Sequence, residues 1–271
     1  MHLERSPCWG LEMVNGDRVH GAAQARCIRA RPTAAGRRPR SGGDGWTALW
    51  PRLVAVFLLW AFFAQSVSSA VVKAPTFDEE FHVARAYAYT QAGDLRMQQN
   101  HPPLVSAVVG MPLWLMPELR DPADLAGWDD AFLFTFADEL FWRVGHDVDK
   151  MVFLARVPIM LLGVLLGAVV FRWASEMYGP SAALASTVLF AFSPNLLAHT
   201  RLVTTDLAVT AFTFIAFFAF WRYLRRPTWG RIGLAGLCAG LALSAKLSAG
   251  LLGPLFLALA LLAAWPVSYT H

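Results

Sequence analysis

The chain has 271 residues, of which 56% are hydrophobic and 15% are charged, and its mean hydropathy is +0.44. A water-soluble domain of this size carries about a quarter charged residues, so the composition favours a protein that lies in a membrane. The net charge of +4 belongs to the N-terminal segment, because residues 1–47 hold eight arginines against four acidic residues. No aromatic or motif framework accompanies these arginines, which argues against nucleic-acid binding.

The same segment, residues 1–47, is rich in Arg, Ala, Gly and Pro and shows no hydrophobic periodicity. We therefore expect a disordered tail, and the arginines predict that it lies on the cytoplasmic side. The three cysteines, Cys8, Cys27 and Cys238, are odd in number and lack CxxC spacing. They support neither a disulfide framework nor a zinc site.

Six apolar stretches follow, each close to the roughly 20 residues that a membrane span needs. The first, residues 53–72, comes directly after the basic tail and is interpreted as an uncleaved signal-anchor. The other five occupy residues 151–267, and they are Met151 to Ala174, Ser181 to Ala198, Leu202 to Leu224, Ile232 to Ala249 and Leu251 to Val267. The sequence thus predicts an all-α membrane protein with a bundle of about six transmembrane helices.

One further apolar piece, residues 103–117, is short for a span and better suited to an interfacial helix. If it does not cross, Arg172 and the arginines of residues 222–231 lie on the same side as the basic tail, as the positive-inside rule requires. We therefore predict a large extracytoplasmic loop, residues 73–150, with 13 acidic and six basic residues. Two juxtamembrane helices are expected in it, the second being the apolar piece and the first near residues 79–92.

Ionisable residues inside a membrane are costly, so each is a functional candidate. The predicted topology brings acidic and basic residues together at the outer rim of the bundle. They are Asp78, Glu79, Arg156, His199, Arg201, Asp206 and Lys246. For each cation the alternative is snorkelling, in which a long side chain merely extends to the interface.

The first predicted helix of the loop carries polar residues on one face. Asp78, His82, Arg85 and Tyr89 follow one another at spacings of four, three and four residues, which align on a helix. The alternative is a simple helix start, in which Thr76 and Asp78 cap the helix and the acidic residues favour its dipole. Spacing alone leaves both interpretations open.

A second signal in the loop is the segment Asn100-His101-Pro102-Pro103-Leu104. Each proline fixes its own φ and pushes the preceding residue out of the helical region, so the segment is predicted to be a rigid extended turn. The alternative is again a helix start, with Pro103 at the first helical position.

Taken together, five features resemble the GT-C superfamily of membrane glycosyltransferases, and within it the protein O-mannosyltransferase and lipid A aminoarabinose transferase group. The resemblance covers residues 50–260 approximately. Its motifs are Phe77-Asp78-Glu79, His101-Pro102-Pro103-Leu104, Arg156 at the start of the next span, Arg201 to Asp206 at a hairpin, and Ser244-Ala245-Lys246 in a later helix. The Asp-Glu pair with His-Pro-Pro is the most specific part.

The resemblance implies transfer of a sugar from a polyprenyl-phosphate donor to a protein, lipid or glycan acceptor at the extracytoplasmic face, with inversion. Asp78 resembles the family's catalytic carboxylate and Glu79 its neighbour in the motif. The implied contacts to donor phosphate or substrate are His101, Arg156, Arg201, Asp206 and Lys246. The chemistry agrees, because such a transfer needs one base for the acceptor proton and cations for the leaving phosphate.

The chain also departs from the family. Aminoarabinose transferases have Glu-Lys-Pro-Pro where this chain has Asn100-His101-Pro102-Pro103, so a divalent metal and any other cofactor stay open. Relatives continue with more helices and a further domain, so we expect a C-terminally truncated chain that ends at residues 268–271. The absence of an organelle signal and the abundance of Arg and Ala favour a bacterial inner membrane.

The competing hypothesis is a non-enzymatic membrane protein, either an inactive GT-C relative or a transporter subunit. A transporter places its charges near the middle of the bilayer on broken helices. Here the charges gather at one face, which favours the enzyme.

Overall fold

The structure, a computed structural model, describes residues 44–98 and 101–264. These two ranges contain ten α-helices and no strand, so the prediction of an all-α protein is confirmed. In chain order the helices are α1 (Asp44–Val71), α2 (Phe77–Ala92), α3 (Leu104–Gly110), α4 (Leu133–Asp138), α5 (Val148–Tyr178), α6 (Pro180–Ala191), α7 (Pro194–Thr200), α8 (Thr205–Arg225), α9 (Trp229–Ala245) and α10 (Leu252–Ala264). Asn100, most of the predicted tail and the predicted truncated end lie outside the described residues.

Four described segments are long and apolar enough to cross a membrane, which makes the chain a multi-pass integral membrane protein. They are Leu49–Val71, Val148–Tyr178, Thr205–Arg225 and Leu247–Ala264. A fifth candidate is the pair α6 and α7, which together form one span bent by 62°. Ser193 and Pro194 lie at this bend, where proline removes a helical hydrogen bond.

The fifth predicted span differs from the structure at its end. The sequence predicted a helix from Ile232 to Ala249, whereas α9 ends at Ala245 and has only 17 residues. Such a helix is about 26 Å long, slightly less than the roughly 30 Å of a bilayer core. Lys246 follows it in an extended conformation, with φ −156° and ψ 133°, and so lies in a link rather than in a helix.

The predicted extracytoplasmic loop is well structured. Helix α2 occupies the place of the first predicted juxtamembrane helix, and α3 with the 3₁₀ turn Met111–Leu115 occupies that of the second. The second piece spans 12 residues, about 20 Å, which is too short to cross a bilayer. This length agrees with the topology in which residues 103–117 do not cross.

Helix α2 is held firmly against the rest of the loop, which fixes the position of its polar face. It packs on α3 and α4, and its apolar face buries Val83 and Tyr87. Gly110 of α3 lies so close that a Cβ atom there would be 2.5 Å from the carbonyl oxygen of Ala86. At its end Gly93 adopts φ +65°, which suits glycine, and closes the helix.

The orientation of the bundle is still a prediction, and cysteine labelling tests it. In a background without the native cysteines, a cysteine at Asp129 should react with a membrane-impermeant thiol reagent from outside, because it lies in the predicted extracytoplasmic loop. A cysteine at Thr228, between α8 and α9, should react only after the membrane is permeabilised. Both positions are exposed, so accessibility does not limit the reaction. Labelling of both from outside, or the reverse pattern, would contradict the topology.

Candidate active site

The first turn of α2 carries three consecutive acidic residues, Asp78, Glu79 and Glu80. Thr76 is the N-cap, with extended backbone angles of φ −87° and ψ 160°, and acidic residues here suit the positive end of the helix dipole. Neighbouring residues in a helix point about 100° apart around its axis. The surroundings of Asp78 and Glu79 therefore differ completely.

Glu79 is fully buried, and its carboxylate forms a two-pronged ion pair with Arg156 of α5. The Nε and Nη2 atoms of Arg156 donate to Oε1 and Oε2 over 2.9 and 2.7 Å. The backbone N–H of Val203 donates to Oε1 over 3.0 Å. The N–H and the hydroxyl of Thr76 donate to Oε2 over 3.0 and 3.2 Å. This carboxylate is thus fully occupied by protein donors.

Arg156 is equally occupied. Its Nη1 atom donates to the carbonyl oxygens of Ala70 and Lys73 over 2.7 and 2.9 Å, and its Nη2 atom donates to that of Ala74 over 3.2 Å. With the two bonds to Glu79, all five N–H groups of the guanidinium are used. The sequence predicted a contact to donor phosphate, but Arg156 is 1% exposed and has no N–H left for one. We assign it a positioning role between the end of α1, α2 and α5.

The ion pair stays charged at neutral pH. Burial raises the pKa of Glu79, but hydrogen bonds from Arg156, Val203 and Thr76 outweigh this effect and hold the pKa below its ordinary value of 4.5. Because Val203 belongs to the turn before α8, the pair also joins this turn to α2. The buried pair therefore holds α2, α5 and the turn before α8 in fixed positions relative to one another, and the exposed polar residues lie on these elements.

Asp78 has the opposite character. Its side chain is exposed and makes no hydrogen bond or ion pair to any described residue. The N-cap role that the sequence allowed for it belongs to Thr76, whose partner is Glu79. Asp78 is therefore a carboxylate whose oxygens are open to a ligand.

On the other side of the site, Lys246 and Asp206 form an ion pair. Lys246 Nζ donates to Asp206 Oδ1 over 2.7 Å, and the two side chains are 37% and 50% exposed. The pair joins the N-terminus of α8 to the link after α9. Lys246 itself has an extended backbone conformation, directly after the last residue of α9. Lys246 keeps two N–H groups for other acceptors.

Two histidines lie between these parts of the site. The ring centroids of His82, on α2, and His101, in the His-Pro-Pro segment, are 5.3 Å apart. Burial lowers the pKa of His82 to about 4, assisted by the charges of Arg85 and His101 and opposed by those of Asp78 and Asp206. Burial, Arg85 and Lys246 likewise lower the pKa of His101. Both imidazoles are thus neutral at pH 7.

The ion pair of Lys246 with Asp206, the contact between the two imidazoles and these electrostatic effects bring together residues from four parts of the chain. We call them the rim cluster, and its members are Asp78, His82, Arg85, His101, Asp206 and Lys246. Four of the predicted site residues belong to it. Two others, Glu79 and Arg156, lie in the buried pair beside it.

Arg85 and His82 are the two members that the site prediction omitted, and Arg85 is the one with a buried charge. Its side chain is 8% exposed, and its buried Nε atom has no hydrogen-bond partner among the described residues. Burial lowers the pKa of Arg85 from its ordinary value. A buried cation without a partner is costly, so a ligand anion would satisfy it. The signal was present in the sequence, because Arg85 follows Asp78 by seven residues on the same helical face.

Arg201 has no contact with a member of the rim cluster among the hydrogen bonds and ion pairs of the described residues. It lines an open cavity of about 410 Å³ with Gln65 and Ser68 of α1 and Pro194 and Leu197 of α7. It forms no ion pair within the described residues, so its predicted contact to the donor stays open. Nearby, His199 has a buried Nδ1 atom without a partner in the described part of the chain.

The described residues contain no group of three or more His, Cys, Asp or Glu side chains arranged to hold a metal ion. Asn100, where relatives with a metal site have glutamate, lies outside them.

The comparisons with known proteins gave one match. The family model described as dolichyl-phosphate-mannose-protein mannosyltransferase matches residues 129–270, about half of the chain. It includes Arg156, Arg201, Asp206 and Lys246, whereas Asp78 and His101 precede the matched range. No match was found among the curated proteins or the solved structures.

Proposed function

Because this chain belongs to the dolichyl-phosphate-mannose-protein mannosyltransferase family, we propose that its rim cluster transfers a sugar from a polyprenyl-phosphate donor to an acceptor hydroxyl. Membership makes the chain a membrane glycosyltransferase of the mannosyltransferase type. The donor, the inverting course, the base and the membrane face are parts of the proposal. The single observation that supports it is the contrast between two adjacent carboxylates. Asp78 is exposed and has no partner among the described residues, whereas Glu79 is buried and fully hydrogen-bonded.

In the proposed reaction Asp78 is the general base. The acceptor oxygen attacks the anomeric carbon of the sugar from the face opposite the phosphate, and its proton passes to the Asp78 carboxylate. The bond between the anomeric carbon and the phosphate oxygen breaks, so the configuration inverts and the phosphate takes the bonding electron pair. Asp78 suits this role because its oxygens have no partner among the described residues, whereas those of Glu79 are all engaged.

The leaving phosphate gains negative charge and needs cations rather than a proton donor. Arg85 and Lys246 are the proposed cations. The buried Nε atom of Arg85 has no partner among the described residues, and Lys246 uses one of its three N–H groups on Asp206. Neutral His101 can donate one further hydrogen bond. Asp206 then acts by orienting Lys246, and Arg156 acts only through Glu79.

The proposed face is the extracytoplasmic one, since all members of the rim cluster lie in or next to the predicted extracytoplasmic loop. The arginines of the tail and of residues 222–231 would then lie in the cytoplasm, as the positive-inside rule requires. A bacterial inner membrane is the proposed location.

The experiment is transfer by the purified protein from a panel of polyprenyl-phosphate sugars to water-soluble acceptors. Lys246→Gln and Arg85→Gln should each raise the KM for the donor by roughly 10- to 100-fold, because each removes a charge-assisted contact worth about 1.5–3 kcal/mol. The exposed ion pair of Lys246 makes little contribution to folding, so the first variant should stay folded.

Matched controls are Lys150→Gln and Arg143→Gln. Both remove a cation from an exposed ion pair of the same loop, with Glu118 and Asp138 respectively. They should leave the KM within about twofold of wild type. Equal effects of the controls and of the cluster variants would contradict the phosphate role, and no transfer from any donor would favour a non-enzymatic protein.

A further inference from the structure

A second polar cavity lies at the opposite end of the bundle from the rim cluster. It has a volume of about 290 Å³ and is lined by Glu176 of α5, Trp221 of α8 and four arginines, namely Arg222, Arg225, Arg226 and Arg231. Helix α8 separates the two sites, because Asp206 lies in its first turn and Arg222 and Arg225 lie in its last. A helix of 21 residues is about 31 Å long, which matches the thickness of a bilayer core.

The cavity carries an excess of positive charge. Four arginines and one carboxylate, that of Glu176, line it. This carboxylate already forms an ion pair with Arg172, which does not line the cavity. Arg172 Nε donates to Glu176 Oε1 over 2.5 Å, whereas Arg222 Nε lies 3.7 Å from Oε2. Arg225, Arg226 and Arg231 have no acidic partner within 4.0 Å among the described residues. The excess positive charge of the lining therefore suits a bound anion.

Several arginines are held in place without any anion. Arg231 Nη1 donates to the carbonyl oxygens of Arg222 and Arg226 over 3.0 and 3.1 Å, which braces the turn between α8 and α9. The guanidinium of Arg225 lies 5.1 Å from the ring centre of Trp221, and a cation–π contact of this kind orients it. Arg222 is positioned similarly over Phe218 at 5.4 Å. The cavity is thus preorganised.

The surroundings indicate where the anion comes from. On α9, next to the cavity, Trp229 is 92% exposed and Leu234 and Leu237 are also exposed. Exposed Trp at a helix start and exposed Leu further along it are typical of a segment that contacts lipid headgroups and then acyl chains. Basic cavities between transmembrane helices on the cytoplasmic side bind the phosphates of anionic lipids.

We infer that this arginine cavity binds the phosphate headgroup of an anionic glycerophospholipid, with the acyl chains along α9. Bidentate guanidinium groups suit a phosphate, and the apolar side of the site suits its chains. The inference does not depend on the proposed reaction, since no residue of the rim cluster takes part.

The test is lipid binding to the delipidated full-length protein in neutral detergent, measured by native mass spectrometry with phosphatidylglycerol. Arg225→Gln should weaken binding about fivefold, and Arg225→Gln with Arg226→Gln about 30-fold, since each arginine near the surface contributes about 1 kcal/mol. Arg52→Gln, which removes an exposed arginine of α1 from outside the cavity, is the matched control and should bind as wild type does. Elution volume and helical content report on folding.

Two further arms identify the ligand. Phosphatidylcholine, which has the same chains but no net charge, should bind at least tenfold more weakly than phosphatidylglycerol. Inorganic phosphate at millimolar concentration should displace little lipid, because it lacks the chains. Equal binding of both lipids, or equal losses in the Arg52 and Arg225 variants, would overturn the inference. Binding of free phosphate as strong as that of the lipid would overturn the lipid assignment.

Discussion

Replacing Arg156 with Gln should lower the free energy of unfolding by about 3–5 kcal/mol, because it leaves the carboxylate of Glu79 buried without its counter-ion. Glu79 and Arg156 are 0% and 1% exposed, so water cannot take over the lost interaction. Arg156→Gln also releases the carbonyl oxygens of Ala70, Lys73 and Ala74. Unfolding in mixed micelles, followed by helical content, measures the change.

The double variant Glu79→Gln with Arg156→Met tests whether the loss of stability in Arg156→Gln comes from the unpaired buried charge of Glu79. Removing both charges should restore part of the stability, since no ion is left buried. A matched control is Lys150→Gln, which breaks an ion pair with Glu118 that is 45% exposed on each side and should change stability by less than about 1 kcal/mol. If Arg156→Gln were as mild as this control, the positioning role of the buried pair would be wrong.

The same pair predicts a pH dependence of stability. The pKa of Glu79 lies below its ordinary value of 4.5 in the folded protein, so the unfolded chain binds a proton at Glu79 more readily. Its contribution to stability is therefore complete above about pH 4.5 and is lost as the pH falls through the folded pKa.

The fold could be predicted well from the sequence because spans are a matter of length and hydropathy. The second predicted span lies within α5, and the first and fourth extend beyond α1 and α8 by no more than three residues. The end of α9 could not be predicted, since the glycines and serines between Ile232 and Ala249 are spread along the segment and do not mark Ala245 as its end. Lys246 is the only charged residue in it. Its ammonium is bonded to Asp206, 40 residues earlier in the chain, and such a contact leaves no local signal.

The candidate site could be predicted only in part. The motif showed that Asp78 and Glu79 matter, but not that one is exposed and the other buried. That difference depends on which side of α2 faces Arg156, a residue 77 positions away. For the same reason Arg156 was expected to contact the donor. A cation at a span end has the same appearance in sequence whether its partner is a phosphate or a buried carboxylate.

Asp78→Asn should leave the protein folded and lower the rate of transfer by about 10²- to 10⁴-fold, because Asn cannot accept the proton of the acceptor. The amide is close in size to the carboxylate, and the side chain of Asp78 is exposed and unbonded among the described residues. Folding should therefore change by no more than about 0.5 kcal/mol. The KM for the donor should change little, since the proposed phosphate contacts are Arg85 and Lys246.

A neighbouring carboxylate supplies the control for this variant. Glu80→Gln removes an equal charge from the same first turn of α2 and the same end of the helix dipole. Its activity should stay within about twofold of wild type if only the base matters. Equal losses in both variants would indicate an effect of local charge rather than of proton transfer.

The most direct test of the account is the turnover number of the Asp78→Asn variant with a polyprenyl-phosphate sugar, measured on purified full-length protein and normalised to the folded fraction. We expect a loss of about 10²-fold or more, with the Glu80→Gln variant active and the amount of folded protein unchanged. Turnover by Asp78→Asn of about a third of wild type or more, well above the range for a lost general base, would contradict the account.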